Sequence, residues 1–421
     1  MAITIEQSPA ATTPVYNPVI SVVSSTNTAQ SNFRYVCDIY ITGETFAGQS
    51  YIRLKAPVNP TYGSCAFDVG GILERYLTFD IGNDIYGFQR ASDSILEYQL
   101  KFGEEYGPSS GITVYSNLTV DSARYAWNGL IDHLPFTAYA QADYVTTSAT
   151  RKQLTTHPTN TSQARPQLVR SDEDSWTGVL LNTSGDIKYA QVETYDSAGV
   201  FMNTYKVINW QYIDVSPVGE RYLRFPSGYN LDSISASDIV NGQPQPIVSN
   251  ASVATWNITF LTTPSATASE TRWFTKDTKC TQQTEYRLHF LNKLGGFDSF
   301  TFTGASHIST DIKRKKYEKP SGKFTSSSAY GYVAKDQGDI NFYTELKDTI
   351  KLESDWQNED VFAWLEELVS SPVIFHDDST YGLVPVNVIE TKHTRKKRIS
   401  EKLFNLTLSI QYSHNRFRQR A

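Results

Sequence analysis

Apolar side chains recur at every second position in run after run of this chain, a period that places each set on one face of a β-strand. In FRYVCDIYITG (33–43), Tyr35, Cys37 and Ile39 alternate with Val36, Asp38 and Tyr40. VYNPVISVVSS (15–25), GQSYIRLKAPVNP (48–60), ILEYQLKFGEEYG and TVYSNLTV continue a meander, with Pro57 and Pro60 closing one of its runs. Val69-Gly70-Gly71 interrupts the alternation, and ILERYL after it reads as a short helix. The pattern predicts a β-sandwich-type domain over 16–125. A Ser/Thr/Ala/Pro-rich stretch at 1–15 precedes it and reads as an extended arm.

Residues 126–165 lose the alternation and carry Pro158, so they read as a connection or protruding loop. A second β domain is expected over 166–305. GDIKYAQVETYDSAGVFMNTYKVIN (185–209) forms two strands around an Asp-Ser-Ala-Gly turn, and RYLRFPSGYNLDSI and ATWNITFLTTP extend them. EYRLHFLNKLGGFDSFTF (285–302) reads as a hairpin. Tyr286, Leu288 and Phe290 share one face, Phe300 and Phe302 share one on the return, and Gly295-Gly296 supplies the turn. It is expected to complete the second sheet, its rings packing a core or facing a neighbouring subunit.

Residues 306–421 read as an α+β region with a basic tail. KRKKYEKP is a basic run and SSSAYGYVAKDQGDINFYTE a polar loop. A helix is expected near 358–370: Asn358 is its N-cap, Glu359 and Asp360 lie in its first turn, Phe362, Leu365 and Val369 share a face, and Pro372 ends it. PVIFHDD, GLVPVNVIE and LFNLTLSIQYSH return to strands. The fold class expected is mainly β: two or three β-sandwich-type domains in tandem with a few short helices.

Composition agrees with a folded, β-leaning chain: 39% hydrophobic and 13% aromatic, with 26 Tyr against 2 Met among 421 residues. The net charge of −6 gives no general attraction to nucleic acid or anionic membrane. Its distribution changes the picture. Residues 391–421 hold nine Lys/Arg and one Asp/Glu, while 341–378 hold ten acids and two bases. Opposite charge on neighbouring segments serves head-to-tail contact between copies, or simply two solvated faces. The candidate contacts are Asp355, Glu359, Asp360, Glu366 and Glu367 against Arg395, Lys396, Lys397 and Arg398. Three cysteines without a CxxC or Cys/His cluster argue against a disulfide scaffold and structural zinc. The N-terminus lacks the pattern of a signal peptide and no run of about 18 apolar residues occurs, so synthesis in a cytoplasm and no membrane span are expected.

Catalytic motifs are sparse. P-loop, GxGxxG, HExxH and GxSxG patterns are missing, and the seven histidines are scattered. His376-Asp377-Asp378 reads as a polar turn rather than a metal site. Glu104-Glu105, Asp172-Glu173-Asp174 and Glu366-Glu367 are adjacent acids, whereas glycoside hydrolysis needs two carboxylates about 5–10 Å apart across a cleft. Basic clusters at Lys313-Arg314-Lys315-Lys316, at 395–398 and at Arg416, Arg418 and Arg420 suit loose contact with phosphate more than sequence-specific recognition. No enzymatic activity and no cofactor are expected.

PVYNPVISVVSSTNTAQSNFRYVCDIYITG followed by IRLKAPVNPTYGSCAFDVGGILERYLTFDI resembles virion proteins of tailed bacteriophages infecting Bacteroidetes, crAss-like phages included. So does the succession YRLHFLNKLGGFDSFTF, KRKKYEKPSGKF, WLEELVSSPVIF and LFNLTLSIQYSHNRFRQRA. The resemblance covers most of the chain, with 130–270 its least distinctive part. It implies a structural neck or tail protein, present in many copies around the portal axis, in a closed ring of about 12. The implied partners are further copies, adjoining portal, ring or tail proteins, and genomic DNA in non-specific contact. A receptor- or carbohydrate-binding tail protein is the alternative, because aromatic faces stack on sugars.

Overall fold

The computed structural model describes residues 3–418 apart from 46–49, 83–86, 159–165, 183–185, 211–220, 241, 244, 280–282, 336–337 and 391–402. The molecule is mainly β, with 47% of residues in strands and 11% in helices. It divides into two compact units. The first is Met1–Thr278 with Asn292–Asp298, the second Lys279–Leu291 with Ser299–Ala421.

The first unit contains two pairs of sheets. In one pair, a three-stranded sheet ordered Ile3–Gln7, Ile20–Ser25, Ser64–Asp68 accompanies a six-stranded sheet built on Ile95–Tyr106 and Arg34–Ile41. Val23, Cys65 and Phe67 from the smaller sheet share a core with Tyr35, Cys37, Ile39, Tyr98, Leu100 and Phe102 from the larger. These are inward positions of alternating strands, as a sandwich requires. Burial pushes the Cys37 thiol far up, so it packs as a small apolar group. In the stretch read as an extended arm, Ile3–Gln7 pairs with Ile20–Ser25, and Thr12–Pro14 runs parallel to Arg124–Trp127. Its short runs satisfy their backbone groups in the sheets.

In the other pair, Tyr189–Tyr195, Phe201–Ile208, Thr255–Thr263 and Arg272–Asp277 lie in a six-stranded sheet. Trp176–Leu180, Tyr222–Pro226 and Gln89–Arg90 form a three-stranded one. Val192, Val207, Trp256, Ile258, Phe260 and Phe274 pack with Val179, Leu223, Phe225 and Phe88. The region read as a connection or protruding loop carries its own buried cluster, in which Trp127, Ile131, Tyr144, Val145 and Leu154 meet Leu180, Tyr222 and Leu294. Burying these rings outweighs the irregular backbone they sit on.

The second unit is built on one eight-stranded antiparallel sheet and a helix, with two further two-stranded pairings, Lys323–Ser326 with Ala329–Gly331 and Gln357–Asn358 with Leu403–Phe404. The strand order is Phe297–Phe302, Tyr286–Leu291, Ile374–Asp378, Gly382–Val388, Thr407–Tyr412, Asp339–Glu353, Ser306–Glu318. The 285–302 hairpin therefore does not complete the second sheet, as its position in the sequence implied. Leu288 pairs with His376 and Phe290 with Ile374. Helix Glu359–Ser370 begins where Asn358 Oδ1 accepts the Val361 N–H. Phe362, Trp364, Leu365 and Leu368 on it are buried, at about 2 kcal/mol of apolar burial each.

Candidate assembly surface

Ser306–Glu318 and Asp339–Glu353 form a ribbon of thirteen register pairs, from Ser306↔Leu352 to Glu318↔Asp339, with a shift between Lys315 and Lys316. Thirteen residues of strand extend about 43 Å. Every residue from His307 to Glu318 is exposed. Asp339–Glu353 is held on its other side by Thr407–Tyr412 and Arg416–Phe417, whereas Ser306–Glu318 pairs with nothing else among the described strands. Its outer N–H and C=O groups are an open edge.

The ribbon also exposes apolar surface. Ile308 is 65% exposed, and Ile312, Tyr317 and Phe342 are exposed beyond it. Past the ribbon, Lys323–Ser326 pairs with Ala329–Gly331. There Phe324 (75% exposed) stands edge-on to Tyr330, which stands edge-on to Tyr332 (74% exposed). Contiguous apolar exposure of this kind marks interaction sites. Between these groups lie Lys313, Arg314, Lys315 and Lys316, none of them ion-paired among the described residues, with the Lys315 Nζ 5.3 Å from the Tyr343 ring centroid. The stretch has no apolar face with a regular period, so its sequence reads as a basic run and polar loop although it forms strand.

The acidic candidates lie on and before the helix. Asp355 pairs with Lys279 at 3.0 Å, and that contact holds its carboxyl below the usual range. Glu359 and Asp360 occupy the exposed first turn, where the helix dipole favours negative charge. Glu366 is exposed and Glu367 half-buried on the next two turns. Trp356, between Asp355 and Glu359, is 63% exposed. Arg395, Lys396, Lys397 and Arg398 lie outside the described residues. Of the other C-terminal cations, Arg416 is held by Asp348 at 2.6 Å.

Tyr286, Leu288, Phe290, Phe300 and Phe302 are all buried in the second unit's core. The Phe290 and Phe300 rings lie 5.3 and 6.2 Å from Trp364. The alternate residues build a polar seam that the sequence did not disclose. His289 Nδ1 lies 2.7 Å from Ser299 Oγ, and its Nε2 lies 3.5 Å from Asp377 Oδ2. Arg287 sits opposite Asp377 in register and donates to Thr301 Oγ1 at 3.0 Å. Ser, His and Asp in line have the composition of a nucleophile relay. Here His289 and Ser299 are buried, and burial pushes His289 down to about 4, so it stays neutral. A ring held away from solvent beside a covered hydroxyl ties three strands together and offers no substrate access. His376 and Asp377 are strand residues, which corrects the polar-turn reading. Asp378 alone opens the turn, accepting the Thr380 and Tyr381 N–H groups.

Glu104 and Glu105 are each held by other partners. Glu104 accepts from Ser25 Oγ and Asn27 Nδ2, while Glu105 on the next position pairs with Lys55 at 2.6 Å. Adjacent strand residues point to opposite faces. Among the described residues no group of three or more His, Cys, Asp or Glu is placed to hold a metal ion. No described helix is long and apolar enough to cross a membrane.

No family model and no curated protein matches the chain. Among solved structures, the full extracellular region of Plexin A4, domains 1 to 10, aligns over 98% of this chain and 34% of its own length, at 8% identity and a TM-score of 0.18. A likeness this weak carries no argument about fold or function.

Proposed function

We propose that the chain is a multi-copy structural component of a tailed-phage virion, a ring, collar, adaptor or tail-tube protein around the portal–tail axis that works by subunit–subunit contact and DNA passage. The observation that carries this reading is the ribbon. It presents an open strand edge thirteen residues long, with exposed apolar and cationic side chains. A monomer gains nothing from such surface, whereas a heterologous contact, in which one patch meets a different patch on the next copy, generates a ring when its rotation closes. The resemblance in the sequence supports the same assignment, with the virion neck or tail as location and portal, ring or tail proteins as neighbours. Imaging single particles of virions and of the purified chain tests it. A closed ring of about 12 copies on the portal axis is expected. Trimers at a fibre tip would overturn it in favour of host-surface binding. The aromatic cluster Phe324, Tyr330 and Tyr332 is the feature that favours that second reading, since exposed rings stack on sugars. A glycan-binding assay with Phe324→Ala and Tyr332→Ala separates the two.

A further inference from the structure

We infer that the basic strand Ser306–Glu318 of one copy docks on the acidic helix surface of the next, with Lys313–Lys316 against Glu359, Asp360, Glu366 and Glu367. This rests on the multi-copy reading proposed above and names the two surfaces that meet. Four consecutive cations stand on an exposed strand edge without an ion-pair partner among the described residues. Residues 353–371 carry six acids (Glu353, Asp355, Glu359, Asp360, Glu366, Glu367) and no Lys, Arg or His. The two surfaces match in sign and in length. Glu359 and Glu366, and likewise Asp360 and Glu367, are seven positions apart, so each pair shares a helix face about 10 Å long. Lys313 to Lys316 spans about 10 Å of strand; adjacent residues there point to opposite faces, so the cations flank the open edge on both sides and their long side chains reach a helix laid along it. Apolar groups accompany both: Ile312 and Tyr317 flank the cations, and Trp356 adjoins the acids, all exposed. An apolar contact ringed by opposite charges is the anatomy of a specific interface, in which charge sets partner choice and register. The contact is heterologous, so each copy offers one surface to each neighbour and the chain of contacts propagates.

A charge swap tests this. One variant carries Lys313→Glu, Arg314→Glu, Lys315→Glu and Lys316→Glu, the other Glu359→Lys, Asp360→Lys, Glu366→Lys and Glu367→Lys; all eight positions are exposed or half-buried. Self-association of the full chain is followed by sedimentation velocity at about 0.05 and about 0.5 M NaCl, across which screening of exposed charges rises steeply. Wild type is expected to assemble and to weaken in high salt. Each variant alone then sets like charge against like and loses at least tenfold in association constant. Mixing the two restores assembly, because every contact in the mixture again joins opposite signs. Recovery in the mixture also shows that both variants are folded. If wild type assembles and both variants assemble equally well, the docking inference is wrong while the multi-copy reading stands. A wild type that stays monomeric at all concentrations, with no ring in virions, removes both. Should the basic-strand variant lose only binding to duplex DNA, the strand contacts nucleic acid instead and the inference also falls.

Discussion

The tip of the 285–302 hairpin gives the sharpest test of the packing. Gly296 has no Cβ, and one built there would stand 1.9 Å from the Leu154 carbonyl oxygen and 3.1 Å from its carbon. Backbone cannot yield as a side chain would, so Gly296→Ala pushes the tip back by about 1.5 Å to reach ordinary contact. That displacement acts on bonds already near full length: Trp127 Nε1 to Leu294 O at 3.2 Å, Asn292 Nδ2 to Leu154 O at 3.1 Å and Tyr222 OH to Gly295 O at 2.8 Å. All three are buried, so their donors are left without partners, at about 1–2 kcal/mol each. The expected loss is about 3–5 kcal/mol. Gly71→Ala is the control, because nothing lies within 4 Å of its Cβ position. Urea unfolding followed by tryptophan fluorescence reads both; Gly296→Ala should lower the midpoint by about 1 M or more, and Gly71→Ala should not lower it. A Gly296→Ala midpoint equal to that of the control would refute the packing at the tip.

Phe300→Asp places a carboxylate in the core beside Trp364 and is expected to abolish folding of the second unit; a soluble variant with wild-type assembly would contradict this. Asn358→Ala removes the hydroxyl-free amide cap on the Val361 N–H and should cost about 1 kcal/mol, read as a lowered thermal midpoint, with Asn358→Asp close to wild type. Burial holds both His157 and His289 down to about 4, against about 6.5 when unfolded. Between those values the unfolded chain binds protons that the folded one refuses, so stability falls as pH falls from about 6.5 to about 4, by up to about 3 kcal/mol per histidine. Thermal midpoints at several pH values across that window check it: a flat profile counts against neutral burial, and His289→Gln should remove one histidine's share.

Local signals are legible in the sequence, whereas long-range pairing is not. The helix at Glu359–Ser370 was legible because its cap, first-turn acids and terminating Pro372 all lie within fifteen residues. The 285–302 turn was legible for the same reason, with Gly295 at φ +83°. Its sheet partner was not, since Ile374–Asp378 lies more than seventy residues on and nothing in a strand's own alternation names its neighbour. The ribbon was hidden because both faces of Ser306–Glu318 are exposed, which removes the periodic contrast that reveals a strand. The His289 seam needed residues from three strands brought into register. For the candidate surface, the acidic half is visible as composition, while the ribbon half is visible only in the strand pairing of the polar stretch.

Lys313–Lys316 also bears on how the molecule survives before it meets a partner. An open strand edge beside Ile308, Ile312 and Tyr317 is a template for indiscriminate edge-to-edge growth. Four adjacent cations make two such edges repel, which keeps free copies dispersed. Neutralising them to alanine would therefore not yield a quieter molecule. It would remove the gatekeepers and expose the edge to precipitation.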